Sequence, residues 1–173
     1  MLGILVLGVN KQICMNFVEF NKIFQSHVFA LTHEKQCQLA ISVCKKLYQD
    51  YQDFYQENKW GDPDILLDSI NLCQLYIAKQ IDVSSLKEIL PKVDKIIPDT
   101  EDFENSSYAL NAGATVYETL EFLIDKDQKH ILNIGTYLTD TMNSKIQEDD
   151  DLTEQQIINH PMMLEARKFL ISG

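Results

Sequence analysis

Carboxylates supply the densest candidate chemistry in this 173-residue sequence. Asp99, Glu101, Asp102 and Glu104 fall in one short stretch, and Asp62 and Asp64 flank a second candidate helix start. Oxygen ligands of this kind suit a hard cation such as Mg²⁺ or Ca²⁺, and Asp99, Glu101 and Asp102 form the candidate metal set. Acids at a helix start have another use. They accept hydrogen bonds from its unpaired N–H groups and oppose the positive end of its dipole. The placement of these acids favours that second use, so no metal is assigned.

The other reactive side chains carry weaker patterns. The histidines are His27, His33, His130 and His160, and none has a second histidine three or four residues on. A structural zinc site is therefore not expected. His160 precedes Pro161, which suits a loop or capping role. Cys37 follows His33 by one helical turn, the right spacing for contact. A cysteine nucleophile needs a cation or helix N-terminus to form its thiolate, and packing in an apolar stripe is the favoured role for Cys37. No phosphate-binding loop, GxGxxG, GxSxG, HExxH or EF-hand pattern occurs. No catalytic residue or cofactor is assigned.

Amphipathic helices must position these groups. Phe17, Phe20, Phe24 and Val28 mark a first one. A longer helix starts at Thr32, a suitable N-cap, and runs to about Glu57 with Cys37, Ala40, Cys44, Leu47, Tyr51 and Phe54 on one face. Gly61 is suited to end it, Asp62 to cap the next and Pro63 to start it. That next helix carries Leu66, Ile70, Cys73 and Ile77. Ser85 and Glu88 have capping-box spacing, and Pro91 either kinks the segment they open or starts its second half. Residues 98–104 read as a loop. Ala109, Ala112, Val116, Leu120 and Leu123 form the next stripe, where Ala112, Gly113 and Ala114 would admit a close helix. Ile131, Ile134, Leu138, Met142 and Ile146 form another. Residues 148–151 are an acidic linker, Thr153 and Gln156 have capping-box spacing, and a last helix from Pro161 is expected to bury Leu164 and Phe169.

The fold expected is all-α, a single compact bundle of roughly six to eight antiparallel helices over residues 16–173. A chain this long buries roughly 70% of its unfolded surface, so it needs no disulfide or metal staple. Cys37 and Cys44 on one helix lie about 10 Å apart, beyond disulfide reach, and free thiols point to a cytoplasmic setting. Residues 1–15 are an apolar extension or an over-long start with Met15 as the natural one. They are too short to span a bilayer and lack the flanks of a signal peptide.

The formal charge of −11, with Arg167 the sole arginine, excludes a nucleic-acid backbone as the main partner. No membrane partner is expected, and self-association is open. Short connections between antiparallel helices would gather residues 59–64, 98–104 and 148–151 at one end as an acidic pole. The candidate partner-binding residues are then Asp62, Asp64, Asp99, Glu101, Asp102, Glu104, Asp149 and Asp150.

Several segments together resemble the bacterial YjaG-like proteins. They are the helix ending in Tyr51, Phe54 and Trp60-Gly61-Asp62, the Pro98-Asp99-Thr100-Glu101-Asp102-Phe103 segment, residues 109–125 (ALNAGATVYETLEFLID) and His160-Pro161-Met162-Met163 with Glu165. The likeness spans roughly residues 20–170. It implies an α-helical fold and a domain of unknown function, and carries over no catalytic residue. The stretch before Met15 has no counterpart, and relatives often continue beyond Gly173. The function expected is a small acidic protein-interaction or regulatory module, of immunity or inhibitor type, that meets a basic protein. The alternative is a divalent-cation-binding protein or enzyme using the 98–104 loop.

Overall fold

A computed structural model describes residues 15–148 and 151–172. Among them are eight helices and no strand: α1 (Phe17–Ala30), α2 (His33–Asn58), α3 (Pro63–Ile77), α4 (Val83–Asp94), α5 (Ser107–Asp125), α6 (Lys129–Ile146), α7 (Glu154–Ile158) and α8 (Pro161–Ile171). Residues 1–14, with the apolar start and Cys14, lie outside the described residues, as do Asp149 and Asp150. No described helix is long and apolar enough to cross a membrane.

The apolar stripes account for the core. On α2, Cys37, Ala40, Cys44, Leu47, Tyr51 and Phe54 are all buried, and so are Ala109, Ala112, Val116, Leu120 and Leu123 on α5. The stripe of α6 is buried throughout, and that of α3 except for Ile77, which is half-buried. Helix α5 is central, packed by α2, α3, α4 and α6. It runs antiparallel to α2, since His33 meets Phe122 at one end and Asn58 meets Asn105 at the other. It is likewise antiparallel to α6, where Glu118 meets His130 and Tyr108 meets Glu148. Helices α1 and α8 close the side of α6, with α7 against α8.

Caps set most of the boundaries. Thr32 accepts from Lys35 N (3.4 Å), Asp62 accepts from the N–H groups of Asp64 and Ile65 (both 3.1 Å), and Thr153 and Gln156 form a reciprocal capping box. His160 Nδ1 accepts from Met162 N at 3.3 Å, so its role is a cap.

Three local expectations are corrected, and the two alternatives for Pro91 are narrowed. Helix α2 ends on Lys59, in the left-handed region (φ 53°), with Gly61 (φ 90°) two residues later. The Lys59 N–H still donates to Tyr55 O at 2.8 Å, which closes the helix, and its ammonium lies 5.8 Å from the Tyr55 ring centre. Helix α4 starts at Val83 and not at Ser85. Left-handed Lys79 closes α3 tightly, with Gln80 N donating to Leu75 O, so the chain re-enters a helix early. Pro91 lies inside α4, which continues to Asp94. Helix α8 buries Met163, Ala166, Arg167 and Leu170, leaving Leu164 and Phe169 half-buried. It is turned so that the Arg167 guanidinium lies over the rings of Phe17 (4.8 Å) and Phe20 (4.7 Å), and its Nη1 donates to Met15 O.

Candidate functional site

The turns that follow α2, α4 and α6 meet at one end of the bundle. Phe103 packs edge-on against Phe54 (5.3 Å) and tilted against half-buried Trp60 (5.3 Å). Asn105 Nδ2 donates to Glu57 Oε2 at 2.7 Å. Tyr51 Oη donates to Ile96 O at 2.6 Å and accepts from Asp62 N at 3.2 Å. Tyr108 Oη donates to Glu148 Oε1.

These contacts bring Asp62, Asp64, Asp99, Glu101, Asp102 and Glu104 to that end, where they divide by role. Asp62 caps α3 with its carboxylate. Asp99 Oδ1 accepts from Glu101 N at 2.9 Å, while its carbonyl accepts from Asp102 N and Phe103 N, so this carboxylate closes its own turn. Asp64, Glu101, Asp102 and Glu104 are exposed and leave their carboxylates to solvent. Asp99, Glu101 and Asp102 do not gather three ligand atoms as a cation site would; among the described residues only one group does, at the opposite end.

A cleft of about 560 Å³ opens at the same end, between the last turns of α2 and α6, the start of α5 and the tip of α8. Asp50, Asp53, Glu57 and Glu148 line it, with Lys145, Tyr108, Asn105 and the apolar Phe54 and Met162. Lys145 is paired to Asp50, and its ammonium lies 5.3 Å from the Tyr108 ring centre. Burial pushes the Asp50 carboxyl up, and the hydrogen bond and charge of Lys145 only partly oppose it. Burial, then the Glu148 carboxylate, push the Tyr108 hydroxyl well up, so it stays a donor. The signal in the sequence was Asp50, Asp53 and Glu57 at helical spacing beside the apolar stripe of α2.

The opposite end carries a second cluster, which no local spacing of histidines marked. His130, at the start of α6, directs Nδ1 to Glu118 Oε2 and Nε2 to Asp125 Oδ2, the latter at 3.1 Å. Glu118 is held by its other oxygen, which accepts from Asn133 Nδ2 at 3.0 Å. Asp125 is held by Asp127 N, which donates to Oδ1 at 2.7 Å. Burial pulls the His130 imidazole down, but the hydrogen bonds and charges of Glu118 and Asp125 outweigh it and raise the ring above its ordinary value. Glu121 shares the face of α5 with Glu118 and Asp125, and one ligand atom each from Glu121, Asp125 and His130 lie within 4.8 Å of one another.

Cys37 Sγ does lie 3.5 Å from His33 Nε2, yet burial pushes its thiol up to about 11. Cys44 rises to about 12 for the same reason. Both remain protonated at neutral pH and act as core residues, and Cys37, Cys44 and Cys73 are all free and buried.

Comparison with known proteins bears on the fold and family. No curated protein matches the chain. A crystal structure of a DUF416 family protein from Shewanella baltica matches with a TM-score of 0.74 and 22% identity, over 85% of this chain and 80% of that one. At that identity the likeness is one of fold. A family model described as "Protein of unknown function (DUF416)" matches residues 23–171. The chain belongs to the DUF416 family.

Proposed function

We propose that this protein is a helical interaction module that receives a basic segment of a partner protein in the cleft at its acidic end. The observation that carries the reading is the wall of that cleft. Asp50, Asp53, Glu57 and Glu148 face a single lysine, and that lysine is already paired to Asp50. Phe54 and Met162 add an apolar floor on which the stem of a bound lysine or arginine can lie. Asn105 and Tyr108, tied to Glu57 and Glu148, hold those two carboxylates in place before a partner arrives. Such complementarity mainly sets encounter rate and specificity. The buried free thiols support a reducing, cytoplasmic setting for the encounter. The finer placement among YjaG-like proteins rests on the motifs quoted above and is part of the same proposal.

The test is fluorescence anisotropy with a short lysine- and arginine-rich peptide at low salt. Replacing Asp53 by Asn and Glu57 and Glu148 by Gln should weaken binding about tenfold or more, the size of one to two lost charge contacts. Neutralising the exposed Glu19, Glu34 and Glu88 changes the net charge equally but lies elsewhere. An equal loss from both triple variants would reduce the effect to net charge and remove the cleft from the reading.

A further inference from the structure

The cluster around His130 brings potential metal ligands together at the end of the bundle away from the acidic cleft. Three positions on α5, Glu118, Glu121 and Asp125, are spaced to share one face, and His130 reaches them across the short α5–α6 turn. Two of these groups are fixed from outside the cluster. Asn133 holds Glu118, and the backbone N–H of Asp127 holds Asp125.

The two-sided contact at His130 calls for a cation, and the gathering of three ligand atoms says where a metal ion would sit. Both ring nitrogens face carboxylate oxygens, Nδ1 toward Glu118 and Nε2 toward Asp125. A neutral imidazole has one N–H. If Nδ1–H donates to Glu118, the Nε2 lone pair points at an oxygen lone pair 3.1 Å away. That contact is repulsive unless a cation lies between them, either a proton or a metal ion. A carboxylate on one imidazole nitrogen, which fixes the tautomer and presents the other nitrogen, is the usual support of a metal-binding histidine. Glu121 supplies a third ligand atom within the same 4.8 Å. Tetrahedral ligands about 2.0–2.2 Å from a zinc ion lie about 3.3–3.6 Å from one another, so atoms up to 4.8 Å apart draw inward to hold one.

We propose that Glu121, Asp125 and His130 bind a divalent first-row transition ion, with Zn²⁺ the best fit, and that Glu118 is a positioning residue acting through the His130 ring. The imidazole nitrogen selects against Mg²⁺ and Ca²⁺, which take oxygen ligands. Asp125 is 45% exposed, so three protein ligands leave room for water or a small anionic ligand on the ion. Proton release accompanies uptake when the ring is protonated beforehand, and the metal takes the place of the proton on Nε2.

The experiment is calorimetric titration of chelator-treated full-length protein with ZnCl₂, repeated with MgCl₂. One equivalent of zinc should bind and magnesium should not compete. His130→Ala and Asp125→Asn should each weaken zinc binding at least a hundredfold. Glu118→Gln, which keeps an acceptor but not the charge, should weaken it about ten- to a hundredfold, the range for partners of a metal-bound histidine. Circular dichroism reports whether each variant is folded, and Asp125→Asn serves if His130→Ala is not. The Co²⁺ form should absorb in the visible without a thiolate charge-transfer band. Absence of zinc uptake, uptake unaffected by Asp125→Asn, or a thiolate band that vanishes in Cys37→Ser would overturn the site. Wild-type affinity in Glu118→Gln would overturn the positioning role.

Discussion

Gly113 and Gly135 look equivalent as sequence, each a glycine within an amphipathic helix, but their surroundings set them apart. A methyl group at Gly135 would press into the buried ring of Phe24, with Cζ only 2.7 Å away. At Gly113 it would meet Ile97 Cγ1 at 3.0 Å, from a half-buried side chain that can shift. Alanine gains about 0.8–1.0 kcal/mol over glycine in a helix interior, while overpacking a closed core costs about 1–3 kcal/mol. Gly135→Ala should therefore destabilise by about 1–2 kcal/mol in urea unfolding, with Gly113→Ala near neutral or slightly stabilising. The reverse order would mean that α1 moves away from α6 easily. The small-residue run at Ala112–Ala114 was legible as a close approach, but what approaches Gly113 is Ile97, in the segment after α4, and not a helix. His130 was harder to read for the same reason. Its partner Glu118 is twelve residues earlier, across a turn, where helical spacing carries no information. Arg167 stands out in the sequence only as the sole arginine, and its burial on two rings depends on tertiary packing that no local spacing shows.

At the scale of elements, the turn between α2 and α3 decides where the acidic end forms. Local signals set part of it: Asp62 caps, Pro63 starts α3, and both roles were readable from order alone. Tyr51 does the rest. It was legible as a core position, but its hydroxyl also joins the end of α4 to the turn through Ile96 O and Asp62 N. Gly61 lies beneath that hydroxyl, where a methyl group would meet Tyr51 Cζ at 3.2 Å. Removing the hydroxyl leaves a buried carbonyl without its donor, which costs about 1–3 kcal/mol. Tyr51→Phe should show that loss in thermal unfolding. Asp62→Asn should not, because asparagine caps as well as aspartate. If both variants are neutral, water replaces the tyrosine and the turn is held by its caps. Helix ends were less legible than helix faces. Three helices close on or just before a left-handed lysine, at Lys59, Lys79 and Lys126, where glycine is the ordinary signal.

Across the whole molecule, the charge of −11 is unevenly placed. The end formed by the α2–α3, α4–α5 and α6–α7 connections holds the capping and turn acids, the exposed Asp64, Glu101, Asp102 and Glu104, and the four cleft carboxylates. Its lysines, Lys59, Lys95 and Lys145, are far fewer. Self-repulsion of one sign opposes compaction, and the unfolded chain relieves it by separating the segments. At about 0.1 M salt the Debye length is about 10 Å, so below that concentration salt screens the repulsion between charges on neighbouring connections only partly. Among the described residues, two lysine ion pairs act the other way. Lys145–Asp50 is partly sheltered and loses little to salt, while Lys46–Glu165 is exposed and contributes little at any salt. Repulsion should therefore dominate the response. Raising NaCl from about 20 mM to about 0.5 M should stabilise the fold by on the order of 1 kcal/mol, or about 2–4 °C in Tm for a chain of this size. Sodium chloride is the salt to use, because sulfate would strengthen apolar burial in any protein. The combined variant Asp64→Asn, Asp102→Asn and Glu104→Gln should raise the low-salt Tm and flatten its salt dependence. These three are chosen because none of them caps a helix or closes a turn, unlike Asp62 and Asp99. A Tm that falls with NaCl, and falls again in the triple variant, would make those carboxylates net stabilisers of their helix starts, with the repulsion between connections too weak to shape the fold.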